Sequence, residues 1–284
     1  MNPIAFRIGP LAVHWYGILI VTGALAAAFV AQSEAKRRGQ NPSHVWDALT
    51  LCLLFGIVGA RLYHVLTPPP SMGVDIGYYF RNPKEIFAPG MAGLGIYGAV
   101  AGGILAMFVY TRYQKLDFFE WLDIAVPGLA LAQAIGRWAN FINQELYGRP
   151  TDLPWAIYIP LEKRLPGYEA FERFHPAFLY ESLWNLGVCL FLLYIARRYS
   201  SRLLRGELFG LYLILYPLGR FLLEMIRLDS PMMGSLSIAQ VIALIAISVS
   251  AGAMAYRRWR KKGVEETGRE DDHNSIPPNW PGPE

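Results

Sequence analysis

The chain has 284 residues, 54% of them hydrophobic and only 17% charged, with a formal net charge of +4. Soluble domains carry about 25% charged residues, and here apolar bands of roughly 20 residues, each long enough to cross a bilayer, recur throughout. That excludes a large soluble domain. It also excludes a nucleic-acid groove, because the basic residues gather in short clusters at the ends of apolar bands, the pattern of topology signals.

In chain order, residues 1–10 are short and nearly uncharged, and the first band runs from about Leu11 to Ala31 and ends in Lys36-Arg37-Arg38. A cleaved signal carries its positive charge before the apolar stretch. The cluster follows it here, so the band reads as a retained span. The second band, about Trp46 to Leu66, leads to Pro68-Pro69-Pro70. The third runs from about Met91 to Tyr110 and ends at Arg112 and Lys115, and the fourth covers about Phe119 to Phe141. The fifth, about Ala177 to Ala196, ends in Arg197, Arg198, Arg202 and Arg205; the sixth, about Leu208 to Met225, is followed by Asp229-Ser230-Pro231. The seventh, about Ile238 to Tyr256, ends in the run Arg257 to Lys262.

The expected fold is therefore an all-α polytopic membrane protein of about seven transmembrane helices, over residues 1–262. Dense basic clusters follow spans one, three, five and seven, which places the amino terminus outside and the carboxyl terminus in the cytoplasm. The long connection from Leu146 to His175 contains the β-prone run Trp155 to Ile159 between prolines, and predicts a small external cap with a short strand. Residues 263–284, of mixed charge and then proline-rich, predict a disordered cytoplasmic tail. Cys52 and Cys189 lie inside apolar bands, show no metal-ligand or disulfide spacing, and read as packing residues. No metal site is expected.

The polar residues within the bands share one depth. Tyr16 is early in span one, Arg61 late in span two, Tyr97 early in span three, and Arg137 and Asn140 late in span four. His175, Tyr180 and Glu181 open span five, and Tyr216, Arg220, Glu224 and Arg227 close span six. All fall in the outer half, the inner half reads as nearly bare, and a shared external cavity accounts for the bias. On helical spacing Tyr216, Arg220, Glu224 and Arg227 stack on one face, as do Arg137, Asn140 and Gln144. Arginine at membrane depth costs roughly 2.5–3.5 kcal/mol on insertion scales, so it normally has a partner or a ligand. The alternatives are a snorkelling Arg137 and an Arg220–Glu224 pair that only joins helices. Arg61 reads as a buttress or a snorkelling residue, and His175, Tyr180 and Glu181 as residues that orient the cap. Gly93, Gly95, Gly98, Gly102 and Gly103 make one face of span three small, for close helix packing. Two guanidinium forks at one depth suit a phosphate, and in an outer leaflet the phosphate carriers are phospholipid head groups.

The densest polar stretch is Gly136-Arg137-Trp138-Ala139-Asn140-Phe141-Ile142-Asn143-Gln144-Glu145-Leu146-Tyr147-Gly148-Arg149. It resembles the signature of bacterial prolipoprotein diacylglyceryl transferase, Gly-Arg-x-x-Asn-Phe-x-Asn-x-Glu-x-x-Gly-Arg, at every fixed position. The resemblance extends over Trp15-Tyr16-Gly17, Gly59-Ala60-Arg61, the span-three glycines, Asp123, His175-Pro176, Tyr180-Glu181 and Tyr216-x3-Arg220-x3-Glu224. It implies transfer of the diacylglyceryl group of phosphatidylglycerol to the lipobox cysteine thiol of preprolipoproteins in the bacterial cytoplasmic (inner) membrane, with a thioether formed, glycerol-1-phosphate released and no cofactor. By matching positions it implies Arg137 and Arg220 as essential arginines, Tyr16, Asn140 and Gly148 as critical residues, and Glu145 and Glu224 as supporting acids, with Tyr216 also on the lipid side. Where many members have His-Gly-Gly on span three, this chain has Tyr97-Gly98-Ala99. Tyr97 stands in the place of that histidine, but a phenol of ordinary pKa near 10 is a poor base at neutral pH. Either Tyr97 only positions the lipid or the thiol loses its proton in the arginine field, the favoured route, and the general base is unassigned. The rival reading is a phospholipid transporter or flippase with an outer-leaflet head-group site.

Overall fold

The computed structural model describes residues 2–9, 11–68, 72–87, 93–228 and 230–274. The expected span-three start at Met91, Pro69 and Pro70, Asp229, and the proline-rich end from Pro277 lie outside the described residues.

The chain opens with an antiparallel hairpin, β1 (Ile4–Ile8) with β2 (Leu11–His14), turned at Gly9 with φ +58°. The first helix consequently starts at Trp15, not at Leu11 as the apolar band suggested. Hydropathy is blind to this boundary, since the last strand residues are as apolar as the helix. The long helices are α1 (Trp15–Arg37), α2 (Ser43–Leu66), α4 (Ile96–Tyr113), α5 (Phe118–Gly136), α7 (Ala177–Arg198), α8 (Glu207–Glu224) and α9 (Ile238–Asn274). Short helices α3 (Ile76–Arg81) and α6 (Trp138–Asn143) lie between them. Among the described residues five segments are long and apolar enough to cross a membrane: Trp15–Arg37, Ser43–Leu66, Phe118–Asn143, Ala177–Arg198 and Ile238–Lys261. Helices α4 and α8, of 18 residues each, occupy the places of the third and sixth bands but fall short of that standard. Helix α9 runs on to Asn274, past the boundary expected near Lys262.

Burial is inverted relative to a soluble protein. Leu53, Leu54, Phe55, Ile57 and Val58 on α2, and Ile242, Ile245 and Val249 on α9, are exposed, whereas Arg61, Glu181, Asn185 and Glu224 are buried. Soluble monomers rarely show contiguous apolar patches beyond a few hundred Å². A hydrocarbon solvent removes that penalty and moves the polar groups inward.

Helices α2 and α4 meet at glycines. A Cβ on Gly59 would collide with the carbonyl oxygen of Gly98, and one on Gly98 with that of Gly59. This is the small-residue packing expected of the span-three face; Gly103 meets α2 more loosely, its carbonyl accepting from Cys52 Sγ at 3.3 Å and an added Cβ standing 3.8 Å from the Cys52 carbonyl oxygen. Arg61 is a buttress: its guanidinium donates to the carbonyls of Ile86 (2.9 Å) and Gly93 (3.3 Å) and lies over the Tyr79 ring.

The half of the bundle expected to be bare is not bare. Glu34 accepts from Arg37 (2.8 Å) and Arg197 (3.3 Å), and Glu207 from Arg258 (2.6 Å) and the amide of Leu204 (2.9 Å). Asp123 accepts from the amides of Gly206 (2.7 Å) and Phe209 (2.9 Å), capping α8 from a neighbouring helix. All three acids are 2% exposed or less. Arg197 and Arg258, from the basic clusters that end α7 and follow the apolar part of α9, thus join helices through Glu34 and Glu207.

Candidate active site

The signature stretch folds into a clasp at one end of the bundle. Helix α5 ends at Gly136, Arg137 keeps helical angles, and α6 runs to Asn143, so Arg137 and Asn140 share a face as the spacing requires. Arg137 Nη1 donates to Asn140 Oδ1 at 3.4 Å, and Asn140 Nδ2 donates to Glu145 Oε1 at 3.0 Å. Asn143 Nδ2 donates to the same carboxylate oxygen at 3.3 Å. Gln144 does not join this face. It leaves the helix in the left-handed region (φ +54°), as does Leu146 (φ +56°), and these two turns swing Glu145 back under Asn140. Gln144 ends α6 as a left-handed C-cap, with the Glu145 amide donating to the Asn140 carbonyl at 3.0 Å.

Two further elements complete the cluster. Glu181, in the second turn of α7, lies 2.7 Å from Arg137 Nη2 and 3.4 Å from Arg220 Nη1, so one carboxylate joins two arginines from different helices. Glu224 pairs with Arg220 Nη2 at 3.1 Å. The arginine side chains keep 23% and 18% of their surface exposed, whereas those of Glu181 and Glu224 keep 8% and 3%. The acids therefore stand behind the guanidinium groups and hold their forks outward, with donors left for another anion. Removing one partner of such a buried pair costs about 3–5 kcal/mol, against a net gain near zero for the intact pair. The acids thus fix where the arginines stand. The Arg220–Glu224 pair does link residues of one helix, but Glu181 ties the same arginine across helices to Arg137.

Other expected residues lie around this centre. Tyr216, one turn before Arg220 on α8, stacks on Tyr212 with ring centres 5.6 Å apart. Arg227 lies beyond the end of α8 and forms a bridge with Gly148 instead of extending the α8 stripe. Gly148 is pressed between backbones: its amide donates to the His175 carbonyl (2.9 Å), and a Cβ would stand 2.8 Å from that of His175. Tyr16 and Tyr97 are 45% and 58% exposed, and among the described residues no hydrogen bond or ion pair joins either to the cluster. The ring of Tyr97 packs against Tyr63 on α2 at 5.7 Å.

The connection between α6 and α7 covers this end. Strands β3 (Ile157–Tyr158) and β4 (Arg173–Phe174) pair antiparallel over a small core of Tyr147, Ile159 and Phe174. Tyr180 anchors it, accepting from Trp155 Nε1 (2.8 Å) and lying 3.2 Å from His175 Nδ1. Tyr180 and His175 thus orient the connection as expected, but Glu181 does not: it is the centre of the charged site. Its role was hidden because α7 offers no charge partner at helical spacing; its arginines come from α8 and from the end of α5. Asn185, one turn further along α7, is 1% exposed, and among the described residues neither its Oδ1 nor its Nδ2 has a hydrogen-bond partner. Among the described residues no group of three or more His, Cys, Asp or Glu is placed to hold a metal ion.

Fold and site together define a polytopic helical membrane protein with two arginines presented to an anion at one end of its bundle. Within that class, the family model described as prolipoprotein diacylglyceryl transferase matches residues 3–256. The chain belongs to this family. It is 42% identical over 273 residues to the phosphatidylglycerol–prolipoprotein diacylglyceryl transferase of Chloroflexus aggregans, covering 89% of this chain and 87% of that protein. To the protein of the same name from Trichormus variabilis it is 41% identical over 268 residues, covering 93% of each. The protein of that name from Fervidobacterium nodosum is 39% identical over 268 residues, covering 94% of this chain and 87% of its own length.

Proposed function

We propose that the chain transfers the diacylglyceryl group of phosphatidylglycerol to the lipobox cysteine of preprolipoproteins in the bacterial inner membrane. The observation that carries this is the convergence of Arg137 and Arg220, from separate helices, on Glu181. In this reading the lipid phosphate meets the donors that Glu181 and Glu224 leave on the two forks, while Asn140 and Glu145 hold Arg137 in line. The cysteine sulfur attacks the glyceryl carbon that bears the phosphate ester. The carbon–oxygen bond breaks, a thioether forms, and glycerol-1-phosphate leaves with charge stabilised by both arginines. The thiol proton departs to solvent or to a base outside this cluster, and the arginine field favours the thiolate that remains.

Seven helices cross the membrane in this reading, including the two short ones, with the amino terminus and the 146–175 cap outside and the carboxyl terminus inside. Tyr16, Tyr97 and Tyr216 line the lipid route, Gly148 sets the backbone approach of the cap, and the chain from residue 263 onward lies on the cytoplasmic side. The test is release of glycerol-1-phosphate by purified protein in phosphatidylglycerol-containing nanodiscs. Release only when a lipobox peptide is also present supports the reaction. Movement of the lipid between leaflets with no release would replace it with the transporter reading.

A further inference from the structure

At the other end of the bundle, a cavity of about 460 Å³ opens between the last turn of α7, the first turns of α8 and the middle of α9. Its inner wall is Ile195, Leu211 and Met254, and its mouth carries Tyr199, Arg202 and Arg258. Each apolar wall residue lies one turn along its helix from a residue at the level of the rim: Ile195 from Tyr199 at the end of α7, Met254 from Arg258 within α9, and Leu211 from Glu207 at the start of α8. At 1.5 Å per residue this is about 6 Å deeper into the bundle. The cavity is therefore apolar in depth and basic at the rim, along the direction a membrane normal would take.

The rim charge is only partly cancelled. Glu207, 1% exposed, grips Arg258 through Nε (2.6 Å) and Nη2 (2.9 Å) from behind, leaving other donors of that guanidinium for an anion. Arg202 is exposed and has no ion pair among the described residues, and the Arg198 guanidinium lies 5.6 Å from the Tyr199 ring centre. The one carboxylate at this rim is thus taken up by Arg258, and Arg202 keeps its charge. A small soluble anion would leave the apolar wall uncovered, and a zwitterionic lipid would bring its own cation against Arg202. Basic pockets between helices at a membrane surface bind anionic head groups.

We propose that this cavity binds an anionic phospholipid of the leaflet opposite the Arg137–Arg220 site, with its phosphate between Arg202 and Arg258 and the start of an acyl chain along Ile195, Leu211 and Met254. It is a second lipid site: Ile195 lies 14 residues along α7 from Glu181, about 21 Å of helix. The inference needs the membrane placement of the bundle and is independent of the transfer reaction.

Native mass spectrometry of the full chain, titrated with phosphatidylglycerol or with phosphatidylcholine, tests it. Arg202→Gln removes the rim charge, Ala255→Phe fills the cavity without touching charge, and Arg220→Gln reports on the other site. Wild type should retain one more phosphatidylglycerol than Arg202→Gln and than Ala255→Phe, with at least a fivefold weaker affinity for that lipid in each. Arg220→Gln should keep it, and phosphatidylcholine should not replace it. Because Arg202 is exposed and unpaired, Arg202→Gln should fold and retain transfer activity. Unchanged lipid number and affinity in Arg202→Gln would overturn the proposal. So would equal retention of phosphatidylcholine, or displacement of the lipid by inorganic phosphate.

Discussion

In the proposed reaction the lipid phosphate would ask of Arg137 and Arg220 what the Glu181 carboxylate already does: a planar fork of fixed charge. Lysine offers a point charge and cannot span two acceptors. Arg137→Lys and Arg220→Lys are expected to lower turnover by roughly 10²–10³-fold, the usual loss of one preorganised electrostatic contact, at equal membrane abundance. Near-normal turnover in both would rule out direct phosphate recognition. Tyr97 is the opposite case. It is more than half exposed and packs on Tyr63, apart from the ionic cluster. Tyr97→Phe should cost less than about tenfold, the scale of one neutral hydrogen bond near 1 kcal/mol. The basic limb of the pH–rate profile should stay in place, because it belongs to the substrate thiol. A loss of about 10²–10⁴-fold together with that limb would make Tyr97 the proton acceptor.

Among the elements, α2 and α4 depend most visibly on a single atom's width. Their contact is built on Gly59 and Gly98, each filling the space where the other's side chain would begin. Gly98→Leu should separate the helices or tilt α4, with a stability loss of about 1–3 kcal/mol from overpacking. A thermal-shift or denaturant series in detergent reads this, and Gly103→Leu, where an added Cβ meets nothing closer than 3.8 Å, is its control. A variant pair with equal midpoints would show that the two helices are free to slide. The same contact places Tyr97 beside Tyr63, so activity should fall together with stability in Gly98→Leu but not in Gly103→Leu.

For the whole molecule, orientation is the decisive property, because a site that draws on outer-leaflet lipid must face outward. Cysteines placed at Glu162 or Gly167, in the connection between α6 and α7, should react with an impermeant thiol reagent in intact cells. Cysteines placed beyond Lys262 should react only after lysis. The native Cys52 and Cys189 are, respectively, half-buried and buried within helices and leave a low background. The reverse labelling pattern would place both the charged cluster and the connection in the cytoplasm, and with it the proposed reaction on the wrong leaflet.

What the sequence determined by itself follows from local chemistry. Apolar length set the long helices, and the offsets of three and four set the Arg137–Asn140 and Arg220–Glu224 contacts, since both are fixed by the helical repeat. The density of amides and acids between Gly136 and Arg149 marked the site. Tertiary structure decided what depends on neighbours distant along the chain. Glu181 became the centre because α5, α7 and α8 converge there, and Gln144 left its face because the chain turns left-handed to deliver Glu145. The amino-terminal hairpin escaped notice because apolar strand and apolar helix look alike in hydropathy. Glu34, Asp123 and Glu207 found cationic or amide partners, most of them on other helices, and no spacing within one apolar band encodes a partner in another. Composition measures the solvent a segment prefers; only packing decides which charge meets which.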